Sequence, residues 1–296
     1  MTAKAEPIDV EVAGGMLRVA LHRPEGEPTL PPVLGLHGVT ASSVSLNPVA
    51  RALVGETLVA APDLRGRGAS SPLPGPYGMA AHADDCAAVV RALNLDRVIL
   101  VGESMGGYVS VVFAARYPEL VHSIVLVDGG IPLELPEGVP VEAVVQAVLG
   151  PAIERLSMTF ESEAAYLDFW RVHPAVSEDW NADVEDYLRY DLVGDSPALR
   201  SRVSAAAVEG DLADQLSNPA LIADSLASLR CPITLLRATR GLLNQPEPLL
   251  PDALVDPWRE KLPQMSVEIV DDTNHYTLMF GSRGAERIAA AVREIA

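Results

Sequence analysis

The chain has 296 residues, 49% of them hydrophobic and 21% charged, long enough to bury a large core and too apolar for extended disorder. Forty acidic residues against 22 basic ones leave a net charge of −18, whose field repels nucleic acid and anionic membrane surfaces, so neither is an expected partner. No window holds the ~18 consecutive apolar residues of a membrane span, and Met1 to Pro7 lack the apolar core of a signal peptide, which predicts a cytoplasmic protein.

Ile8 to Val12 alternates strictly, Gly14 and Gly15 turn the chain, and Met16 to Leu21 reads as the second arm of a hairpin. The apolar run Pro32 to Leu36 predicts a short strand ending in His37-Gly38-Val39, with a helix at about 44–54. The strand Leu58 to Ala61 leads into a polar glycine loop, Asp63-Leu64-Arg65-Gly66-Arg67-Gly68-Ala69-Ser70. Helices at 80–93 and 105–117 flank the strand Val98 to Val101, and Ser123 to Val127 is a further strand closing on Asp128-Gly129-Gly130. Such alternation is the signature of a parallel sheet with crossover helices.

From Ile131 to about Ser228 the strand signals vanish, and helical periodicities are broken by seven prolines. Roughly 100 residues far exceed the ~2–6 of an ordinary α/β connection. They predict a helical cap, residues 131–228, inserted between the two parts of one core, residues 1–130 and 229–296. The sheet resumes at Pro232 to Leu236, a proline- and leucine-rich loop runs to Asp256, and a helix follows. The strand Val267 to Val270 then leads to Asn274-His275-Tyr276, and an amphipathic helix from Gly284 ends the chain. Cys86, in a predicted helix, and Cys231, at the start of a predicted strand, read as apolar residues rather than a disulfide scaffold or zinc site. No metal or cofactor is expected.

The chemistry concentrates at Gly102-Glu103-Ser104-Met105-Gly106, where an apolar strand passes directly into a helical pattern. Glycines on both sides permit a sharp strand-to-helix turn that holds a serine Oγ out at the carboxyl edge of a sheet. The His37-Gly38 loop, the D-x-R-G-x-G-x-S loop from Asp63 to Ser70, the G-x-S-x-G-G elbow and the late histidine together resemble the α/β-hydrolase family. The likeness covers about residues 30–130 and 230–296 and lacks detail between. It implies an α/β-hydrolase fold: a mostly parallel central sheet with flanking helices and an inserted helical cap.

The resemblance implies that Ser104 is a nucleophile and that His275, after the last strand, is its base, in the chain order serine, acid, histidine. The acid is open. The positions just after the strand Ile233 to Leu236 hold no carboxylate, and the first to follow are Glu247 and Asp252. Asp128, at the end of the strand beside the elbow strand, is placed first, with Asp252 and Glu247 as alternatives. Asp271 and Asp272 lie too near His275 along the chain. The backbone N–H groups of Val39 and Met105 are the expected oxyanion donors. Glu103 has no assigned role, while His37, Asp63, Arg65 and Ser70 read as structural.

An aromatic-rich stretch of the cap holds Tyr166, Phe169, Trp170, Trp180, Tyr187 and Tyr190. Aromatics at helical spacing are more often core than substrate box, yet Trp170, Trp180 and Tyr166 are candidates for an apolar roof over Ser104. Such a roof favours an uncharged, medium-sized apolar ester. The expected activity is a cofactor-independent serine hydrolase cleaving a carboxylic ester through an acyl-enzyme. Lactonase, thioesterase, amidase or carbon–carbon hydrolase chemistry on the same residues, or a slow-turnover ligand-binding protein of the same fold, stand as alternatives.

Overall fold

A hairpin opens the structure, because β1 (Glu6–Val12) and β2 (Gly15–His22) pair antiparallel with Glu6 opposite Leu21 and Val12 opposite Gly15. Gly14 takes φ 92° at the reversal, a left-handed conformation open to glycine. The strands that follow are β3 (Val33–Leu36), β4 (Val59–Pro62), β5 (Val98–Glu103) and β6 (Val121–Val127). The short β7 (Leu192–Val193) and β8 (Arg200–Ser201) pair only with each other, and β9 (Ile233–Arg240) and β10 (Met265–Asn274) complete the main sheet. This computed structural model describes residues 5–133, 150 and 152–296.

The eight-stranded sheet runs β1-β2-β4-β3-β5-β6-β9-β10, parallel from β4 to β10, with β2 antiparallel to β4. β3, β4 and β5 are buried along their whole length, so each reads as an uninterrupted apolar run rather than an alternating one. One apolar layer lies under α2 (Met79–Ala92) and α3 (Met105–Arg116), and a second lies under α1 (Asn47–Ala52) and the C-terminal helix Ser282–Ile295. From β3 the chain steps outward to β4 and then returns to β5 on the other side. That reversal opens a crevice at the carboxyl ends of β3 and β5, where open α/β sheets bind ligands. The His37-Gly38 loop follows β3, and the Ser104 turn follows β5.

Between β6 and β9 lie a helical turn at 152–156 and the helices Glu163–Arg171, Ala182–Asp191, Ala205–Ser217 and Pro219–Ser228. Side-chain caps start the first three: Ser162 accepts from the Ala165 N–H, Asn181 from Asp183 and Val184, and Ser204 from Ala207. The expectation that this stretch carries no strand is corrected by the β7–β8 pair and by a bridge between Phe160 and Leu199. Two-residue strands are too short to leave a periodic signal. The helix Pro219–Ser228 lays Ile222 and Leu226 into the core beside α3, so the main core resumes before residue 228. The expected cap residues 134–149 and 151 fall outside the described residues.

The inserted helices are tied to the core by buried charge. Asp211, on Ala205–Ser217, accepts from Arg67 Nη1, from the Gly78 N–H at 2.6 Å and from His82 Nε2 at 2.9 Å. Asp214 accepts from the Met79 N–H at 2.8 Å. Gly78 caps α2 without a side chain, so carboxylates from a neighbouring helix satisfy the donors that every helix start leaves open and complement its dipole. Among the described residues no helix is long and apolar enough to cross a membrane.

Arg67 and Asp211 are 0% and 1% exposed, so removing one partner strands the other charge in the interior. Asp211→Ala should destabilise the fold by about 3–5 kcal/mol in chemical denaturation, and the double change Arg67→Met/Asp211→Leu by clearly less. A double variant weaker than the single one would show that the pair itself, not the loss of a partner, carries the stability.

Candidate active site

Ser104 joins β5 to α3 at φ 52°, ψ −118°, a backbone conformation rarely taken by a residue with a side chain. Its N–H donates to Val127 O at 2.9 Å and its carbonyl accepts from Gly107 at 3.0 Å, so both neighbouring elements hold the strained residue in place. Packing explains the glycines. A Cβ on Gly106 would lie 2.1 Å from Leu36 O, and one on Gly129 would lie 2.2 Å from Ser104 O.

His275 follows β10, and its Nδ1 lies 2.7 Å from Asp128 Oδ2. Asp128 is fully buried at the end of β6, and its other oxygen accepts from the Ala238 N–H at 3.2 Å. With a carboxylate on Nδ1, the neutral ring carries its proton there and presents a lone pair at Nε2. That nitrogen lies 3.4 Å from Glu103 Oε1. Burial pulls the imidazole pKa down, but the Asp128 hydrogen bond and the charges of Asp128 and Glu103 outweigh it and hold it above 6.5. Burial pushes the Glu103 carboxyl above its ordinary range.

The other acid candidates lie elsewhere. Asp252 is 71% exposed and accepts from Arg237 Nη1 at 2.7 Å, and Glu247 is exposed on the loop after β9. Among the three, Asp128 is the one brought to His275. The strand order decides this: β6 lies beside β9 and β9 beside β10, so the end of β6 points at the turn after β10.

Val39 and Met105 both line the cavity around Ser104. Arg67 touches both, donating through Nε to Val39 O at 2.9 Å and placing Nη2 3.9 Å from Met105 Sδ. Sequence reasoning missed this clamp, because Arg67 sits at a variable position of the glycine loop and its partners are remote along the chain. His37 bonds Gly38 O at 2.8 Å and accepts the Leu64 N–H at 3.0 Å, and burial drives its pKa down to about 3. It is a neutral strut between the two loops. Asp63, Arg65 and Ser70 likewise make internal ties, to Ser43 and Ala69, to Asp85, and to the Arg18 N–H.

Tyr187, Leu212, Leu216, Tyr276, Met279 and Phe280 close the apolar walls of the cavity. The expected roof residues Trp170, Trp180 and Tyr166 do not line it. The Tyr166 hydroxyl donates to Asp191 at 2.5 Å and accepts from Arg155 at 3.0 Å, while Trp170 packs edge-on against Tyr166 with Arg155 over its ring. Trp180 donates to Glu185 at 2.9 Å, with Arg171 over its ring. These three build the inserted layer's own core and rim, and Tyr187 reaches the site instead, its hydroxyl donating to Thr40 O at 3.2 Å. Helical spacing gives a shared face and not which neighbour that face meets. Cys86 and Cys231 are both free thiols, and among the described residues no group of three or more His, Cys, Asp or Glu is arranged to hold a metal.

A family model described as the alpha/beta hydrolase fold matches residues 31–282. The chain belongs to the α/β-hydrolase family. Among its α/β-hydrolase relatives is 2-(acetamidomethylene)succinate hydrolase of Mesorhizobium japonicum, 39% identical over 98 residues, which are 33% of this chain and 35% of that protein. A putative esterase/lipase of Haemophilus influenzae is 32% identical over 117 residues, 40% of each chain. The chain thus spans only about a third of the length of the curated relatives it matches. The crystal structure of E-2-(acetamidomethylene)succinate hydrolase superposes with a TM-score of 0.77 over 98% of both chains at 22% identity, a likeness of fold.

The His275 imidazole should titrate above 6.5 by NMR in the folded protein, and Asp128→Asn should lower that value by removing the largest opposing interaction. An unchanged titration in a folded Asp128→Asn protein would contradict the pairing.

Proposed function

We propose that this α/β-hydrolase is a serine hydrolase that cleaves a carboxylic ester through an acyl-enzyme, with Ser104 as nucleophile, His275 as base and Asp128 as the acid that orients it. The observation that carries the reading is the 2.7 Å Asp128–His275 bond beside a serine held at φ 52° on the wall of the same apolar cavity. The relatives named as a succinate hydrolase and as an esterase or lipase agree with hydrolytic chemistry.

In this mechanism the ester carbonyl enters beside Ser104, and His275 Nε2 takes the Oγ proton as Oγ attacks the carbonyl carbon. The charge that forms on the carbonyl oxygen is met by the N–H groups of Val39 and Met105. Met105 opens α3, where the first N–H groups have no intrahelical acceptor and the dipole favours an anion. Collapse breaks the ester C–O bond, and the imidazolium returns its proton to the departing alkoxide. Water then repeats the sequence on the acyl-enzyme and releases the acid. Asp128 steadies the imidazolium through Nδ1 and keeps its own charge. The substrate is an uncharged, medium-sized apolar ester, a reading supported by the apolar walls of the cavity.

Ser104→Ala should abolish hydrolysis of activated short-chain esters in a folded protein and block labelling by a fluorophosphonate, which in the wild type should modify Ser104. Labelling of a different serine would refute the assignment. Folded Asp128→Asn should lose up to ~10⁴-fold in kcat, with Asp252→Asn close to wild type; the opposite pattern would move the acid to the loop. Because the base must be neutral to accept a proton and its pKa is raised, kcat/KM should climb with pH through an apparent pKa above 6.5. A profile flat from about pH 5 to 8 with chemistry limiting would remove His275 from the role.

A further inference from the structure

Glu103 occupies the elbow position before Ser104, is 7% exposed and lines the cavity. A buried carboxylate without a cation or several donors is costly, so its surroundings carry information. Oε1 lies 3.4 Å from His275 Nε2. Oε2 rests over Gly38, where a Cβ would come within 2.6 Å of it. Glycine at position 38 thus leaves the space that this carboxyl group fills; burial raises its pKa, against the opposing pull of the His275 imidazole and the Gly38 amide. The other titratable groups facing it are Asp128 and Tyr276. The imidazole of His275 is therefore flanked by two acids, Asp128 on the Nδ1 side and Glu103 on the Nε2 side.

The charge of the cavity wall comes from these groups. Among the described residues that line it, none is Lys or Arg. An acyl chain that carries its own carboxylate would enter a low-dielectric space with acid already on the wall and no Lys or Arg among the described lining residues to pair with.

We infer that Glu103 is a specificity-determining residue of this site, one that restricts it to esters with uncharged acyl groups and excludes carboxylate-bearing ones. The inference rests on the serine-hydrolase reading. In the same position Glu103 supports the imidazolium that forms as Ser104 attacks, so one side chain both stabilises charge on the base and rejects like charge on the substrate.

The test compares p-nitrophenyl hexanoate with mono-p-nitrophenyl adipate, equal in chain length and different in charge, on wild type, Glu103→Gln and Glu103→Asp. The wild type should prefer the hexanoate strongly in kcat/KM. Glu103→Gln keeps the shape and removes the charge, and should shrink that preference about ten- to fiftyfold, the effect of one charge ~7 Å away at an effective dielectric of ~20. Glu103→Asp keeps the charge and should keep the preference. The His275 titration, followed by NMR, should fall in Glu103→Gln and hold in Glu103→Asp. A preference unchanged by Glu103→Gln, or lost equally in both variants, overturns the inference while leaving the serine-hydrolase reading intact. If the wild type turns over neither ester, that reading fails, and an unchanged His275 titration in Glu103→Gln would then overturn the role of Glu103 as well.

Discussion

At the carboxyl edge of the sheet, β3 and β5 deliver two backbones into a space too narrow for side chains. Gly106 approaches the Leu36 carbonyl and Gly129 approaches the Ser104 carbonyl, each so closely that a Cβ would overlap an oxygen. Ser104, held between them, takes a left-handed φ that stores on the order of 1–3 kcal/mol. Hydrogen bonds to Val127 and Gly107 keep it there. The rest of the site follows from this crowding: α3 begins one residue later, and Val39 from the neighbouring loop lines the same cavity as Met105.

Charge is distributed around that turn in an uneven way. Asp128 is well satisfied, with His275 on one oxygen and the Ala238 N–H on the other. Glu103 has weaker support, a ring nitrogen at 3.4 Å, and burial raises its pKa. Both acids act on one imidazole, raising its pKa against the lowering effect of burial. Natural sites tolerate an incompletely paired buried charge where it serves a ligand or a reacting group, and the cavity wall is the place where Glu103 meets that condition.

The inserted helices act on the site through few contacts that reach far. Tyr187 bonds Thr40 O, Tyr190 donates to Asp63 at 2.6 Å, and Asp211 holds Arg67, which in turn touches Val39 and Met105. The layer above the crevice is thereby fixed to the two loops that shape it. Its large aromatics, Tyr166 and Trp170, pack around the buried Arg155–Asp191 pair and continue the core beneath, with Trp170 against Tyr276.

The sequence by itself determined the sheet and the turn that carries Ser104. β-branched apolar runs such as Val98 to Val101, followed by the glycine turn at 102–106, read as a strand buried on both faces, and that is what the structure shows. The sequence also placed His275 at the end of the last strand. The partner of that histidine stayed open between Asp128, Asp252 and Glu247, because a residue's distance along the chain says nothing of which strand ends are neighbours. Adjacency of β6, β9 and β10 settled it, bringing Asp128 across 147 positions to Nδ1. The same reason hid Glu103 and Arg67, whose partners lie on other loops. Trp170 and Tyr166 were legible as an aromatic helix face but not as the interior of the inserted layer, since periodicity fixes which residues share a face and only tertiary packing decides what covers it.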